Sequence, residues 1–398
     1  MNELILQKTD QAVETMKKLQ IDCWLTFVRE TKMMKDPVIP FLTGMGVVGT
    51  SAFILTSSGE KIALLASFDA ASFAAQGVYR EVVPYTISIK EPLLETLRRL
   101  NPEKIALNYS IDDCAADGLS VGMYRMLNEF LEGTDFPRRF VSSEPLVAAV
   151  RGLKTPRELE LMRRAAEETL VLFDRFEQNL APGWTTDQVE RYLQNEVERS
   201  GWDFSWDKSH NPSLTSGPEH EPGHGTVPGV RILPGQVIRI DFGIIREGYS
   251  SDLQRSWYLL QENEKEAPEE VERPFAVVLQ GIRAAKDFLR PGVAGWEVDA
   301  VARKIVVDNG FEEFGHSLGH QIGSLAHDGG GGLSPRWERY GRKPYDIVEK
   351  NQVYTLEFGL PTSRGWVSLE EMVYVTADGC EYLVPPQEKL KLKKLKTL

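Results

Sequence analysis

A repeat within the second half of this chain constrains its architecture more than any other feature. The stretch Leu180, Pro182, Gly183, Val189, Val197, Gly201, Trp202 recurs at a constant shift as Leu289, Pro291, Gly292, Val298, Val306, Gly310, Phe311. Each copy reads as a helix, a Pro-Gly turn and a second helix that stops at glycine. Further on, Gln236-Val237 followed by Asp241-Phe242-Gly243 returns as Gln352-Val353 followed by Glu357-Phe358-Gly359, each time in a β-rich run. Both runs read as hairpins. A turn around Glu247-Gly248 leads back to Asp252, and a turn around Arg364-Gly365 leads back to Glu370. Internal repetition sets architecture before any motif is invoked. It predicts two helix-helix-hairpin units, each with an acid on both strands of its hairpin.

Within a strand, period-two alternation places Val237, Arg239 and Asp241 on one face and Ile238, Ile240 and Phe242 on the other. If the two copies pack about a pseudo-twofold axis, the carboxylates of Asp241, Asp252, Glu357 and Glu370 converge on one spot. Singly, such residues are ordinary solvent-facing strand acids, but four in repeat-matched positions are not accounted for that way. Like charges a few ångströms apart repel strongly in a closed site, so the arrangement calls for cations. Carboxylate and imidazole ligands suit Mn, Co, Zn or Fe, and two such ions about 3.5 to 4 Å apart share bridging carboxylates in several hydrolase classes.

A further ligand should be a histidine. All six histidines, His210, His220, His224, His316, His320 and His327, fall between residues 210 and 327. The run Gly315-His316-Ser317-Leu318-Gly319-His320, followed by His327, is glycine-rich, which allows close backbone approach and lets several imidazoles face one cavity. His224, His320 and His327 are the site candidates, and His316 stands evenly between a pocket and a structural role. His210 and His220 lie in a Pro/Gly/Ser-rich loop that suits solvent as well as a pocket.

The rest of the chain bounds the setting. Residues 1–150 alternate β-rich runs, such as 52–55 and 61–66, with helical stretches such as 93–100, the rhythm of an α/β domain. Thr155, Pro156 and Glu158 supply an N-cap, a first-turn proline and a capping-box acid, so a second domain is expected over 151–398. A formal net charge of -12 disfavours nucleic acid and anionic membranes as partners. The Lys/Leu alternation of 389–396 reads as a solvated, frayed end. Cys23, Cys114 and Cys380 match no metal spacing or disulfide framework. Residues 1–20 show no export signal, and no apolar run reaches the roughly 20 residues that cross a bilayer, so a cytoplasmic location is expected.

These residues resemble a known family. The region 153–385 is similar to the pita-bread, or M24, metallopeptidases, which include methionine aminopeptidase, aminopeptidase P and prolidase, and residues 1–150 resemble the N-terminal domain of the last two. Asp241 in Ile-Asp-Phe-Gly, Asp252 in Tyr-Ser-Ser-Asp-Leu-Gln-Arg, His320 in His-Ser-Leu-Gly-His, Glu357 in Thr-Leu-Glu-Phe-Gly and Glu370 in Leu-Glu-Glu stand where the family keeps five metal ligands. The resemblance implies an α+β fold: a C-terminal pita-bread domain with a pseudo-twofold repeat, and a smaller creatinase-like α/β domain before it. It also places His224 and His327 around the scissile carbonyl and aligns His316 with a further pocket histidine. Creatinase shares the fold but lacks the ligands, and the complete set argues against it.

The chemistry expected is hydrolysis of the bond before proline in short peptides, in dipeptides as for prolidase or at free N-termini as for aminopeptidase P. Two divalent ions, Mn, Co or Zn, lower the pKa of a bridging water towards about 7. Glu357 accepts its proton, and His224 and His327 hydrogen-bond the developing oxyanion. Two alternatives stand beside this: a general aminopeptidase, and a hydrolase or lyase acting on a small non-peptide molecule. A metal-poor scaffold that binds without turnover is a third. The resemblance further implies a homodimer, with residues 29–36 of one subunit near the other's active site. Two departures are visible: Phe358 where the family often has Pro, expected to alter only the local turn, and Ser368 where it commonly has Arg, which removes a cation beside the carboxylates. The loop 329–350, with Arg336, Trp337, Arg339 and Tyr340, has no counterpart and could line the pocket, cover it or be a simple insertion.

Overall fold

In the computed structural model, which describes residues 2–223 and 225–395, the chain separates into two units, Met1–Arg151 and Gly152–Leu398. The first unit holds a six-stranded mixed sheet in the order β4-β3-β2-β1-β5-β6. Its strands are β1 (Cys23–Val28), β2 (Ser51–Thr56), β3 (Lys61–Ala66), β4 (Glu81–Tyr85), β5 (Ile105–Leu107) and β6 (Phe140–Ser142). Accompanying helices are α1 (Asn2–Leu19), α2 (Ile39–Leu42), α3 (Ser67–Gln76), α4 (Lys90–Leu100), α5 (Val121–Phe130) and α6 (Glu144–Gly152). Every residue of β1, β2 and β3 is buried. Successive residues serve opposite faces: Trp24 and Phe53 join one core, Cys23, Leu25 and Ile54 the other. Burial on both faces explains why these strands read as nearly continuous apolar runs.

The second unit opens with the longest helix of the chain, α7 (Pro156–Asn179). The Thr155 hydroxyl accepts the Glu158 N–H at 3.2 Å, and the Glu158 carboxylate accepts the Thr155 N–H at 2.7 Å. Two of the donors that a helix start leaves unpaired are satisfied this way, worth about 1 kcal/mol each. Next come α8 (Thr186–Arg199), β7 (Asp203–Phe204), β8 (Ser213–Ser216), β9 (Val237–Phe242), β10 (Ile244–Arg246), β11 (Tyr249–Ser250) and β12 (Leu253–Leu260). The second copy is α9 (Glu269–Phe288), α10 (Gly295–Asp308), β13 (Gly319–His320), β14 (Gly332–Leu333), β15 (Val353–Thr362) and β16 (Gly365–Val375), followed by β17 (Cys380–Tyr382) and β18 (Lys391–Lys394).

The main sheet runs β15-β16-β12-β9-β8. The two hairpins therefore lie side by side, with β12 antiparallel to β16. One sheet face packs on helices: Phe173 and Phe176 of α7 meet Trp257 of β12 at ring separations of 5.6 and 5.3 Å. Val278 and Ile282 of α9 share a core with Leu356, Phe358 and Leu369. Truncating one of these buried rings to alanine costs about 3 to 5 kcal/mol. The two helix-helix-hairpin units expected from the repeat, and the α+β architecture implied by the resemblance, are thus observed. No helix among the described residues is long and apolar enough to cross a membrane, and the three cysteines are free.

At the C-terminal end of the described residues an expectation fails. Far from being a frayed end, residues 391–394 pair in parallel with β12, Trp257↔Lys391 through Leu260↔Lys394. Leu390 is buried, and Lys391 Nζ lies 3.0 Å from Glu177 Oε2. The Lys/Leu alternation is that of a strand, and β12 offers it an edge because β16 pairs with β12 only at Gln254↔Glu370.

Candidate metal centre

Three of the four repeat-matched acids form one row across the sheet. Glu357 on β15 is directly opposite Glu370 on β16. Glu370 is opposite Gln254 on β12, and Gln254 is opposite Asp241 on β9. Neighbours in such a row stand about 5 Å apart. Asp252 sits one residue before β12 and is 5% exposed. All four point away from the helix-packed face, as alternation requires.

A short hairpin brings the imidazole. β13 pairs with β14, the Glu357 N–H donates to Leu318 O at 2.7 Å, and the His320 N–H donates to Thr355 Oγ1 at 3.2 Å. His320 Nε2 then lies 3.8 Å from Asp252 Oδ2, 3.6 Å from Glu357 Oε1 and 3.9 Å from Glu370 Oε1. Its Nδ1 lies 3.3 Å from Gln321 O. A proton held there leaves the Nε2 lone pair aimed at the acids, the tautomer a metal ligand needs.

Electrostatics agree with a cation site. Burial, then the charges of Asp241 and Glu357, raises the Asp252 carboxyl well above its usual value. Burial, then Asp252, does the same to Glu370, and burial with Asp241 pushes Glu357 up to about 8. His320 moves the other way, to about 3, because desolvation and neighbouring His327 disfavour its charged form. All three carboxyl shifts come from acids crowded together out of water, a repulsion that a bound cation would relieve. Asp252 Oδ1 and Glu370 Oε1 are buried without a hydrogen-bond donor. Asp252, His320 and Glu370 offer ligand atoms that all lie within 4.8 Å of one another. Hard oxygen donors with one imidazole fit divalent Mn, Co or Zn.

The remaining histidines are placed differently. The His327 ring stands edge-on to His320 at 4.2 Å. Its loop is anchored by Lys154 and Asp328, an ion pair at 3.0 Å with both side chains 1% exposed. His316 is exposed and contacts its own segment, Ser317 O at 2.7 Å and the Phe314 ring at 5.3 Å. His224 lies outside the described residues. His210 is exposed, with its carbonyl accepting from Trp206 Nε1, and His220 is half-buried in the same loop.

Loop 329–350 acts as a clamp. Trp337 is flanked by Arg303 and Arg339, each 4.8 Å from its ring centre, and Arg303 covers Phe314 at 4.1 Å. Arg339 donates to Gly315 O, and Arg303 donates to Phe314 O and His316 O. Phe314 in turn stacks on Phe358 at 4.8 Å. Phe358 therefore does more than alter a local turn: it lies inside β15, 1% exposed, and ties the 314–316 segment to the sheet beside Glu357.

Sequence reasoning missed three polar residues. Gln254 donates to Asp241 Oδ2 and Glu357 Oε2 at 3.3 and 2.8 Å. Arg239 donates to Asp241 Oδ2 at 2.9 Å. On the opposite sheet face, Arg255 pairs with Glu371 at 3.0 Å, both 2% exposed, and donates to Glu370 O. For Gln254 and Arg239 the signal available was an amide or charged residue two positions from an acid of the set, Asp252 and Asp241 respectively; Arg255, whose partner Glu371 lies on another strand, carried no such local signal.

Known proteins resemble this chain in sequence and in fold. An Xaa-Pro dipeptidase of Pyrococcus furiosus is 25% identical over 274 residues, covering 67% of this chain and 72% of that protein. The solved Xaa-Pro dipeptidase from Bacillus anthracis overlies 98% of this chain and 99% of its own, with a TM-score of 0.74 at 20% identity. The X-Pro aminopeptidase from Thermotoga maritima overlies 96% and 99%, with a TM-score of 0.70 at 22% identity. The pita-bread fold expected from the resemblance is the one observed. The sequence profile of metallopeptidase family M24 matches residues 160–377, more than half of the chain and all five candidate ligands, and the chain belongs to that family.

Proposed function

We propose that this chain is a two-metal exopeptidase that hydrolyses the bond before proline in short peptides, as an Xaa-Pro dipeptidase or an Xaa-Pro aminopeptidase. The observation that carries this reading is the row Glu357, Glu370, Gln254, Asp241, closed by Asp252 and His320 into a largely buried cluster in which Asp252 and Glu370 each keep a donor-free oxygen. Asp241, Asp252, His320, Glu357 and Glu370 would hold two divalent ions, Mn, Co or Zn, whose Lewis acidity brings a water's pKa towards about 7. Glu357 receives the proton that the attacking water gives up. His327, edge-on to His320 and exposed to the approach, donates to the carbonyl oxygen as charge develops there, with His224 as its expected companion. His316, fixed by the 329–350 clamp, lines the pocket. Relatives named for Xaa-Pro cleavage support the substrate class. A homodimer belongs to the same reading, and a purely monomeric sedimentation profile would dismiss it.

The test is a release assay on Mn- or Co-loaded protein with an Xaa-Pro dipeptide, an Xaa-Pro-Yaa tripeptide and matched alanine peptides, each with and without chelator. Chelator-sensitive cleavage before proline is expected, and the dipeptide-to-tripeptide ratio assigns the class. Preference for alanine peptides would replace the reading with a general aminopeptidase, and no cleavage would reject peptidase action.

A further inference from the structure

Arg239 lies on β9 two residues before Asp241, on the same face, and is 5% exposed. A guanidinium taken out of water forfeits several kcal/mol of hydration, so its donors need partners in defined directions. They have them. Nη2 donates to Asp241 Oδ2 at 2.9 Å and Nη1 to Ser213 Oγ at 2.9 Å. Nε is shared between Ser368 Oγ at 3.2 Å and Gln254 Oε1 at 3.3 Å. Gln254, oriented through its oxygen, is left to present its amide nitrogen to Asp241 Oδ2 and Glu357 Oε2. One cation thus reaches an acid from each copy of the repeat, Asp241 directly and Glu357 through Gln254.

The path of this side chain also accounts for Ser368. Arg239 starts opposite Ser256 on β12 and crosses it to reach Ser368 on β16. Ser256 Oγ is bonded to the Ser368 main chain, accepting its N–H at 2.9 Å and donating to its carbonyl at 2.8 Å. Two small, buried side chains make the passage. A long side chain at 368 would claim the volume that the guanidinium fills.

We propose that Arg239 is a positioning residue for the carboxylates of Asp241 and Glu357, and that it and a long cation at position 368 are alternative occupants of one buried space. The inference rests on the ligand assignment given above. It predicts that the cation can be moved from β9 to β16 without loss of the site, which a purely packing role would not allow.

The experiment is calorimetric titration of chelator-stripped, full-length protein with Mn²⁺, with circular dichroism and thermal melting on every variant. Arg239→Met, which keeps the stem and drops the charge, should bind Mn²⁺ about 10- to 100-fold more weakly, as loss of a residue that orients ligands does. Arg239→Lys should fall between, since a point charge cannot serve four acceptors in fixed directions. Ser368→Arg alone should also bind weakly because two guanidinium groups compete for one space. The double variant Arg239→Ser/Ser368→Arg should recover most of the affinity that Arg239→Ser loses. Wild-type affinity in Arg239→Met overturns the proposal, as does a folded double variant no tighter than Arg239→Ser. Should Arg239→Met fail to fold, Arg239→Lys and the double variant decide, because both keep a cation. Wild-type protein that takes up no Mn²⁺ rejects the ligand assignment itself, a result separate from either of those.

Discussion

The two hairpins descend from one repeated pattern, yet they aim their acids differently. The second is continuous: ten cross-strand pairs run from Val353↔Tyr374 to Thr362↔Gly365, and Glu357 faces Glu370 within them. The first leaves the main sheet after Phe242. β10 and β11 form a separate ribbon with β7, turning at Glu247 and Gly248 with φ of 51° and 84°, the paired positive values of a tight hairpin turn. Its register continues, Phe242↔Leu253 in the main sheet and Arg246↔Tyr249 in the ribbon, so the hairpin bends without slipping. The spacing differs instead. Asp241 and Asp252 are 11 residues apart where Glu357 and Glu370 are 13 apart. Gln254 therefore takes the place opposite Asp241, and Asp252 falls two residues along, at the bend. One copy sets its acids by direct pairing, the other by leaving the sheet, and the vacated position admits the amide that links the two halves.

The largest expected effect tests whether these unlike pairs act as one centre. Asp252→Ala in the bent hairpin and Glu370→Ala in the straight one should each abolish Mn²⁺ uptake and lower kcat/KM by about 10³-fold or more, read by metal analysis and peptide release. Turnover in metal-free Glu370→Ala protein would break the equivalence. A sharper probe uses the matched glycines. A Cβ at Gly243 would stand 2.1 Å from Ser251 O, a backbone atom held by the bend, whereas one at Gly359 would stand farther from its neighbours, 2.7 Å from Ser368 Cβ and 2.9 Å from Val367 O. Gly243→Ala should cost about 3 kcal/mol in denaturant unfolding and Gly359→Ala about half that. Equal losses would mean that the bend is not the more constrained copy.

A third comparison concerns what the second copy adds beyond ligands. His327→Ala should keep Mn²⁺ and lose about 100-fold in kcat, seen by calorimetry beside steady-state rates. The smallest effect is the pH profile of chelator-treated protein. Burial and the Asp241 charge raise Glu357 from 4.5 to about 8, and Asp252 and Glu370 are raised for similar reasons. A carboxyl whose pKa is raised by folding contributes stability in full below its unfolded value and loses it as pH climbs through the folded one. The melting temperature should therefore fall by roughly 5 °C between about pH 4.5 and pH 8. Added Mn²⁺ should restore more of it at pH 8 than at pH 5. A flat profile would show that the acids of the two hairpins do not crowd one another.

Much of this was legible in the chain. The helix pairs α7/α8 and α9/α10, the Thr155 cap, the Glu247-Gly248 turn and the common face of Arg239 and Asp241 are local consequences of periodicity, capping chemistry and turn residues. The acids could be named as a set because two copies carry them at matched places. Other features were not legible. The text of 389–396 alternates like a strand, but whether a strand pairs depends on a free edge, and the edge of β12 exists only once β16 has diverged from it. Phe358 read as a local change because its partner Phe314 lies 44 residues earlier. The role of loop 329–350 was open for the same reason: Trp337 has meaning only between Arg303 and Arg339.

The sequence by itself determined which residue types could bind cations, on which face of each strand they lie, and that they come in two copies, because side-chain direction alternates with a period of two whatever the surroundings. Tertiary structure alone decided which strands are neighbours. The order β15-β16-β12-β9 puts Gln254 between Glu370 and Asp241 and runs Arg239 over Ser256 to Ser368. Strand adjacency is set by long-range packing of the two hairpins against their helices, and no local periodicity encodes it.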